Sequence, residues 1–359
     1  MNEAIRHPLS EAPETGTAVE LADGVLWLRV PLPMRLDHVN VYALDDGDGW
    51  TIVDTGLDAP VCRAAWDAAL AGVLANRPVR RVVVTHHHAD HIGLAGWFRT
   101  ALDAELWTTR TAWLFARMLH LDVQAEPSAE AIAFWTAAGM DPAVLERRRQ
   151  ERPFNFSDRM APLPPGFRGL REGDVFRAGG RDWDVRLGGG HAPDHITLWS
   201  RDCNLVIGGD QLLPRISPNL GVYPTEPMAD PVGEWLEASR RLAVHARPEH
   251  LVLPGHKLPY TGLPLRMRQL IENHVSALER LETHLSRPHT AVECFGVLFG
   301  RAIGEAEYGL ALGEAVAHVN HLWLAGRLRR SRRSDGAWLW QEKGGNATSG
   351  TGDRGGEFG

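Results

Sequence analysis

The stretch "VVVTHHHADHIGLAGW", residues 82–97, sets four histidines and one aspartate within six positions, directly after a β-branched run. The run reads as a buried strand, and "LAGWFRTAL" (94–102) begins a helix, so the polar cluster occupies a strand-to-helix loop. Loops carried on a rigid scaffold are where functional groups collect. Neutral imidazole and carboxylate are the preferred ligands of zinc and related divalent cations. In an extended segment alternate residues share a side, so His86 and His88 point together and His87 faces away. Asp90 and His91 fall on the next turn, where they are placed to serve a second cation. The bland alternative is a solvated polar loop.

Three further stretches repeat the design. "GGGHAPDH" (188–195) puts His191 after a glycine turn, "VIGGD" (206–210) ends on Asp210, and "LVLPGH" (251–256) ends on His256. Each follows an apolar run and a glycine, so each is expected to emerge at a strand end beside the others. A carboxylate such as Asp210 suits a position bridging two cations.

Taken in order, "VDTG" (53–56), "THHHADH" (85–91), "GGGHAPDH", "GGD" and "LPGH" resemble the metallo-β-lactamase superfamily of metal-dependent hydrolases over roughly residues 20–262. The resemblance implies an α/β fold, a four-layer αββα sandwich. It implies that His86, His88 and His191 hold one divalent ion, that Asp90, His91 and His256 hold another, and that Asp210 lies between them. Zinc is the expected metal, with iron and manganese as alternatives. Two such ions lower the pKa of a shared water to about 7 and give a hydroxide nucleophile at neutral pH. Asp90 would then shuttle a proton near the leaving group. Asp54 would orient a ligand from outside, and His195 would stand in a supporting position.

The rest of the chain sets the frame. Its 359 residues, 44% apolar, suffice for one large domain with an appendage. Residues 1–18 read as a loose leader, 19–262 as the catalytic domain with a helical insertion at about 110–152, and 263–285 as a connecting helix. Residues 286–341 resemble the winged-helix domain appended in one branch of the superfamily, and the Gly-rich 342–359 read as a disordered tail. The polar start has no signal-peptide core, no apolar run spans a membrane, and three scattered cysteines suit a reduced compartment, so a cytoplasmic location is expected. Glyoxalase II-like thioesterases have a similar texture, although no counterpart of their glutathione-binding helical region is found.

The expected substrate is a small thioester, ester or lactone. Candidate contacts are Arg215, Asn219 and Tyr223 in the Pro-rich "QLLPRISPNLGVYPTEP" (211–227), and Trp113 in an aromatic helix. A single-stranded RNA endonuclease is the main alternative, since Arg327, Arg329, Arg330, Arg332 and Arg333 can attract phosphates. Those arginines read equally as a solvated run at a helix end. Residues 1–285 carry 29 Lys+Arg against 37 Asp+Glu, net −8, a poor surface for a polyanion. An iron-dependent redox member is a further alternative, and the small C-terminal core, marginal alone, is expected to dock on the catalytic domain or on another subunit, the latter giving a homo-oligomer.

Overall fold

The computed structural model describes residues 4–75 and 77–344. β1 (Val19–Ala22), β2 (Val25–Pro31), β3 (His38–Asp45) and β4 (Trp50–Val53) form an antiparallel meander. The β3–β4 hairpin closes at the acidic turn that the sequence suggests, with Gly47 at φ 85°. β5 (Val79–Val83), β6 (Glu105–Thr108) and β7 (Arg168–Gly169) then add in parallel, completing a seven-stranded sheet in chain order. Parallel neighbours need crossovers. α1 (Pro60–Ala71) supplies the first, α2 (Ala89–Ile92) and α3 (Ala95–Leu102) the second. α4 (Arg110–Leu121), α5 (Ala129–Ala138) and α6 (Pro142–Gln150) fill the last, where the helical insertion is expected.

The second sheet runs β12-β11-β10-β9-β8, built from β8 (Val175–Ala178), β9 (Arg181–Gly188), β10 (His195–Ser200), β11 (Leu205–Gly209) and β12 (Leu251–Pro254). Only β11 and β12 are parallel, and α7 (Pro231–Ala243) makes their crossover. The sheets meet face to face through Trp27, Tyr42, Val53 and Val83 on one side and Trp183, Val185, Ile196 and Leu253 on the other. Trp66 of α1 and Phe98 of α3 cover the outer face of the first sheet; Leu242 of α7 and Met267 of α8 (Leu263–His284) cover the second. The layers are therefore αββα.

The C-terminal part comprises the end of α8, α9 (Phe295–Phe299), α10 (Glu305–Leu324), β13 (Leu328–Arg332) and β14 (Trp338–Glu342). Helices followed by a two-stranded hairpin is all that bears on the winged-helix expectation. Its apolar residues do not form a private core. Leu312, Val316, Val319, Leu322 and Trp340 join Trp235 and Leu236 of α7, Leu220, Val222 and the partly buried Phe134 of α5 in one cluster.

Three expectations change. Residues 4–18 are not loose: Arg6 exchanges two backbone hydrogen bonds with Thr261, and Leu9 and Ala12 pack against the inter-sheet cluster. The arginine run is not a helix end. Gly326, at φ 75°, stops α10: the N–H of Arg327 donates to the Leu322 carbonyl and that of Gly326 to Trp323, the glycine-terminated closure that fills orphan carbonyls. The arginines that follow sit on and around β13. The expected tail begins inside β14, which ends at Glu342, and residues 345–359 lie outside the described residues. Among the described residues no helix is long and apolar enough to cross a membrane.

Candidate metal centre

The cluster forms because several chain segments end at one edge of the sandwich. β4 delivers Asp54, the turn after β5 delivers His86 to His91, the β9–β10 connection delivers His191, β11 delivers Asp210 and β12 delivers His256. Three sets of side chains each bring their ligand atoms within 4.8 Å of one another: His86, His88 and His191; His86, His91 and Asp210; and Asp90, His91 and His256. The Asp210 carboxylate joins the sets, 3.5 Å from His191 Nε2, 3.5 Å from His91 Nε2 and 3.3 Å from His256 Nε2. The approach is close enough to demand glycine. A Cβ on Gly255 would lie 2.1 Å from Asp210 Oδ1 and 2.9 Å from His91 Cε1.

Hydrogen bonds behind the cluster set which nitrogen His86, His91, His191 and His256 present. His91 Nδ1 donates to Asp54 Oδ2 at 2.8 Å, which turns Nε2 inward. The same carboxylate accepts from the Thr85 backbone N–H and hydroxyl at 2.8 and 2.9 Å, and Thr85 Oγ1 lies 2.9 Å from His86 Nδ1. Asp54 reaches this place in a left-handed conformation, φ 62°, which aspartate tolerates better than most residues. His191 Nδ1 donates to the Asn219 carbonyl at 2.9 Å, and His256 Nδ1 to the His38 carbonyl at 2.7 Å. Carbonyl and carboxylate partners of this kind fix the ring orientation of metal-binding histidines.

Inside this frame, His91 Nε2, His191 Nε2 and Asp210 Oδ1 are buried without any hydrogen-bond partner. Unfilled buried polar atoms are costly, and three converging ones suit a divalent cation. Burial drives the pKa of His86 and His88 well below the ordinary imidazole value, leaving neutral rings whose facing nitrogens, His86 Nε2 and His88 Nδ1, lie 3.0 Å apart. Burial acts downward on His91 and His256 too, but the neighbouring Asp210 and Asp90 carboxylates override it. His91 is raised well above its usual value and His256 to about 9. Burial would raise Asp90 and Asp210, yet these same histidines hold both below the usual carboxylate range. Divalent cations taking the histidine lone pairs would displace the protons, so affinity should rise with pH.

His195 stands beside the three sets. Its Nε2 accepts from the Asp210 backbone N–H at 3.1 Å, and its ring stacks on His86 with centroids 4.6 Å apart. Its place requires Gly209, whose Cβ would sit 2.5 Å from the ring. His87 faces away, against Phe115, as alternation predicts. Of the four candidate substrate contacts, Asn219 lies next to the cluster through its carbonyl, and its amide donates to Glu314 Oε2 at 3.0 Å. A Cβ on Gly221 would meet both Tyr223 Oη and Asn219 Oδ1, so Tyr223 borders the same segment and is half exposed. Arg215 is exposed and makes no ion pair among the described residues. Trp113 is not brought to the cluster; it stacks on Phe167 at 5.0 Å and donates to the Pro164 carbonyl.

Sequence reasoning missed Thr85, His38 and Asn40. Asn40 holds the loop bearing His256 by donating its amide to the carbonyls of Pro254 and Lys257. Only Thr85 carried a signal, as the residue before the histidines.

Comparison with known proteins agrees with this geometry. Residues 34–283 match the model of the metallo-beta-lactamase superfamily, and residues 278–343 that of the metallo-beta-lactamase-like C-terminal domain. A probable metallo-hydrolase of Bacillus subtilis is 26% identical over 310 residues, 84% of this chain and 92% of its own length. A beta-lactamase domain protein of Burkholderia ambifaria superposes with a TM-score of 0.86 at 37% identity, over 94% of this chain and 98% of that one. A metallo-beta-lactamase family protein of Thermus thermophilus superposes with a TM-score of 0.74 at 27% identity, over 90% of this chain and 100% of that one. The chain belongs to the metallo-beta-lactamase superfamily and is a metal-dependent hydrolase.

Proposed function

We propose that this chain hydrolyses a small thioester, ester or lactone at a centre holding two divalent cations. The observation that carries this reading is the convergence of buried, unpartnered His91 Nε2, His191 Nε2 and Asp210 Oδ1 within a frame of outward hydrogen bonds. His86, His88 and His191 would hold one ion, Asp90, His91 and His256 the other, and Asp210 would lie between them. Ions so held supply an activated water and polarise a carbonyl. Zinc is the ion we favour. Asp54 keeps His91 in one tautomer, Asn219 and His38 do the same for His191 and His256, and His195 anchors the Asp210 backbone. Asp90, more exposed than the histidine rings around it, is the group placed to carry a proton toward a leaving group.

A small acyl substrate is favoured over RNA by charge. The catalytic part is net −8, and Arg327 and Arg333 of the basic run are engaged by Glu282 and Asp335. The test is metal analysis of protein purified without chelator, followed by one panel of thioesters, esters, lactones and single-stranded RNA. About two ions per chain and turnover of an acyl compound are expected. Cleavage of RNA alone would overturn the substrate assignment, and oxygen consumption with bound iron would replace hydrolysis by redox chemistry.

A further inference from the structure

A cavity of about 320 Å³ opens between α5, residues 224–228, α10 and the C-terminal hairpin. None of its lining residues belongs to the histidine and aspartate sets. Phe134, Met228, Trp338 and Trp340 give it apolar walls, and Arg330 and Arg332 also line it. Arg330 pairs directly across the hairpin with Trp340, and Arg332 with Trp338, so all four side chains stand on one face. The Arg330 guanidinium lies 4.1 Å from the Trp323 ring centroid and 4.4 Å from that of Trp338; Arg332 lies 4.4 Å from Trp338.

Cross-strand stacking explains where the guanidinium planes sit, but it leaves their charge and most of their N–H donors unanswered. Arg330 reaches only the Met228 sulfur at 3.6 Å, and Arg332 only the Gly336 carbonyl at 3.1 Å. Neither has a carboxylate within ion-pair distance among the described residues, whereas Arg327 and Arg333 nearby both do. Glu130, the acid that lines the cavity, forms no ion pair with either arginine. Two adjacent cations therefore rest on an aromatic floor without a direct ion-pair partner.

We propose that this cavity binds a small organic anion, one with a flat apolar body and a carboxylate, sulfonate or phosphate head. The body lies on Trp338 and Trp340, and the head takes N–H donors from Arg330 and Arg332 in the forked geometry that guanidinium favours. The volume is at the lower end for small-ligand sites and suits a body of about two fused rings.

The probe is naphthalene-2-sulfonate, a poor metal ligand, titrated calorimetrically into the full chain beside the neutral naphthalene-2-methanol. The sulfonate should bind about tenfold or more tightly than the alcohol. The double variant Arg330→Gln, Arg332→Gln should abolish that preference, and Arg330→Lys with Arg332→Lys, which keeps the charge but not the fork, should retain only part of it. Binding should persist in His88→Ala, where the hydrolytic centre is impaired. Equal affinity for the two probes, unchanged sulfonate binding in the glutamine variant, or loss of binding in His88→Ala would each overturn the proposal. The probe comparison on the unmodified chain decides the matter even if a variant fails to fold.

Discussion

Two short runs concentrate ionisable side chains, residues 86–91 and residues 327–333, and the fold treats them in opposite ways. In the first, the chain leaves a buried strand, turns at His88 and enters the short α2, so residues on two kinds of backbone face one point. The Asp54 carboxylate behind His91 and the Thr85 hydroxyl behind His86 then set which nitrogen each of those rings turns inward. In the second, the chain leaves α10 through Gly326 and runs extended, so successive arginines alternate between faces. Arg329 goes to Gln341 and Arg333 to Asp335, while Arg330 and Arg332 lie on tryptophans. Density of ionisable groups along a sequence does not make a site. Backbone that turns them toward one another, with partners to hold them there, does.

The strongest way to break this contrast is at the converging run. His88→Ala or Asp210→Ala should lower metal content and reduce turnover roughly a thousandfold or more. Full occupancy with full activity in both would remove the cluster from the chemistry. A smaller effect is expected one bond further out. Asp54→Asn tolerates the left-handed backbone but removes the charge that faces His91, and metal affinity should fall about 10- to 100-fold. A chelator competition series measures it, and an unchanged affinity would show that His91 needs no outer partner.

A third test lies between the two regions. His274 and His318, both buried and stacked 5.8 Å apart, have pKa values lowered to about 4, chiefly by burial. Between about pH 6.5 and 4 the unfolded chain therefore binds protons that the folded chain refuses, and stability falls as pH falls. Each histidine should contribute up to ~1.4 kcal/mol per pH unit in that window. Thermal melts of His274→Gln from pH 7 to 5 should show a shallower decline than the parent; parallel curves would mean His274 is not the group refusing the proton. The smallest effect belongs to the dispersed run. Arg329→Glu should leave kcat/KM for a small acyl substrate within about twofold, with little salt dependence, because no phosphate contact is lost. A steep salt slope that disappears in this variant would restore a nucleic-acid role.

The converging site was legible because its elements end on apolar runs, with a glycine before His191, Asp210 and His256, a local signal that survives without tertiary information. Gly255 and Gly209 show why glycine is required: their backbones pass against Asp210 and His195 with no room for a Cβ. The supporting groups were less legible. His38 offers its backbone carbonyl to His256 and its ring to the Lys257 N–H, contacts across more than two hundred residues that no local pattern announces. Trp113 stays open in the sequence because aromatic residues at helical spacing look alike whether they line a site or pack under a loop; this one stacks on Phe167. The arginine run was misread because the stop at Gly326 was overlooked within an otherwise helical pattern. Residues 4–18 look loose since their anchoring to Thr261 is backbone pairing across most of the chain's length.

The contact between Asn219 and Glu314 changes how the chain can be divided. Glu314 belongs to α10, and Asn219 offers its carbonyl to His191 while α10 holds the same segment through the Val222 N–H to the Gly313 carbonyl. A fragment ending near residue 285 would keep every metal-type residue and still lose the wall against which one of them is set. Boundaries drawn from sequence families separate lengths of chain, whereas here the hydrogen bonds behind His191 run through both.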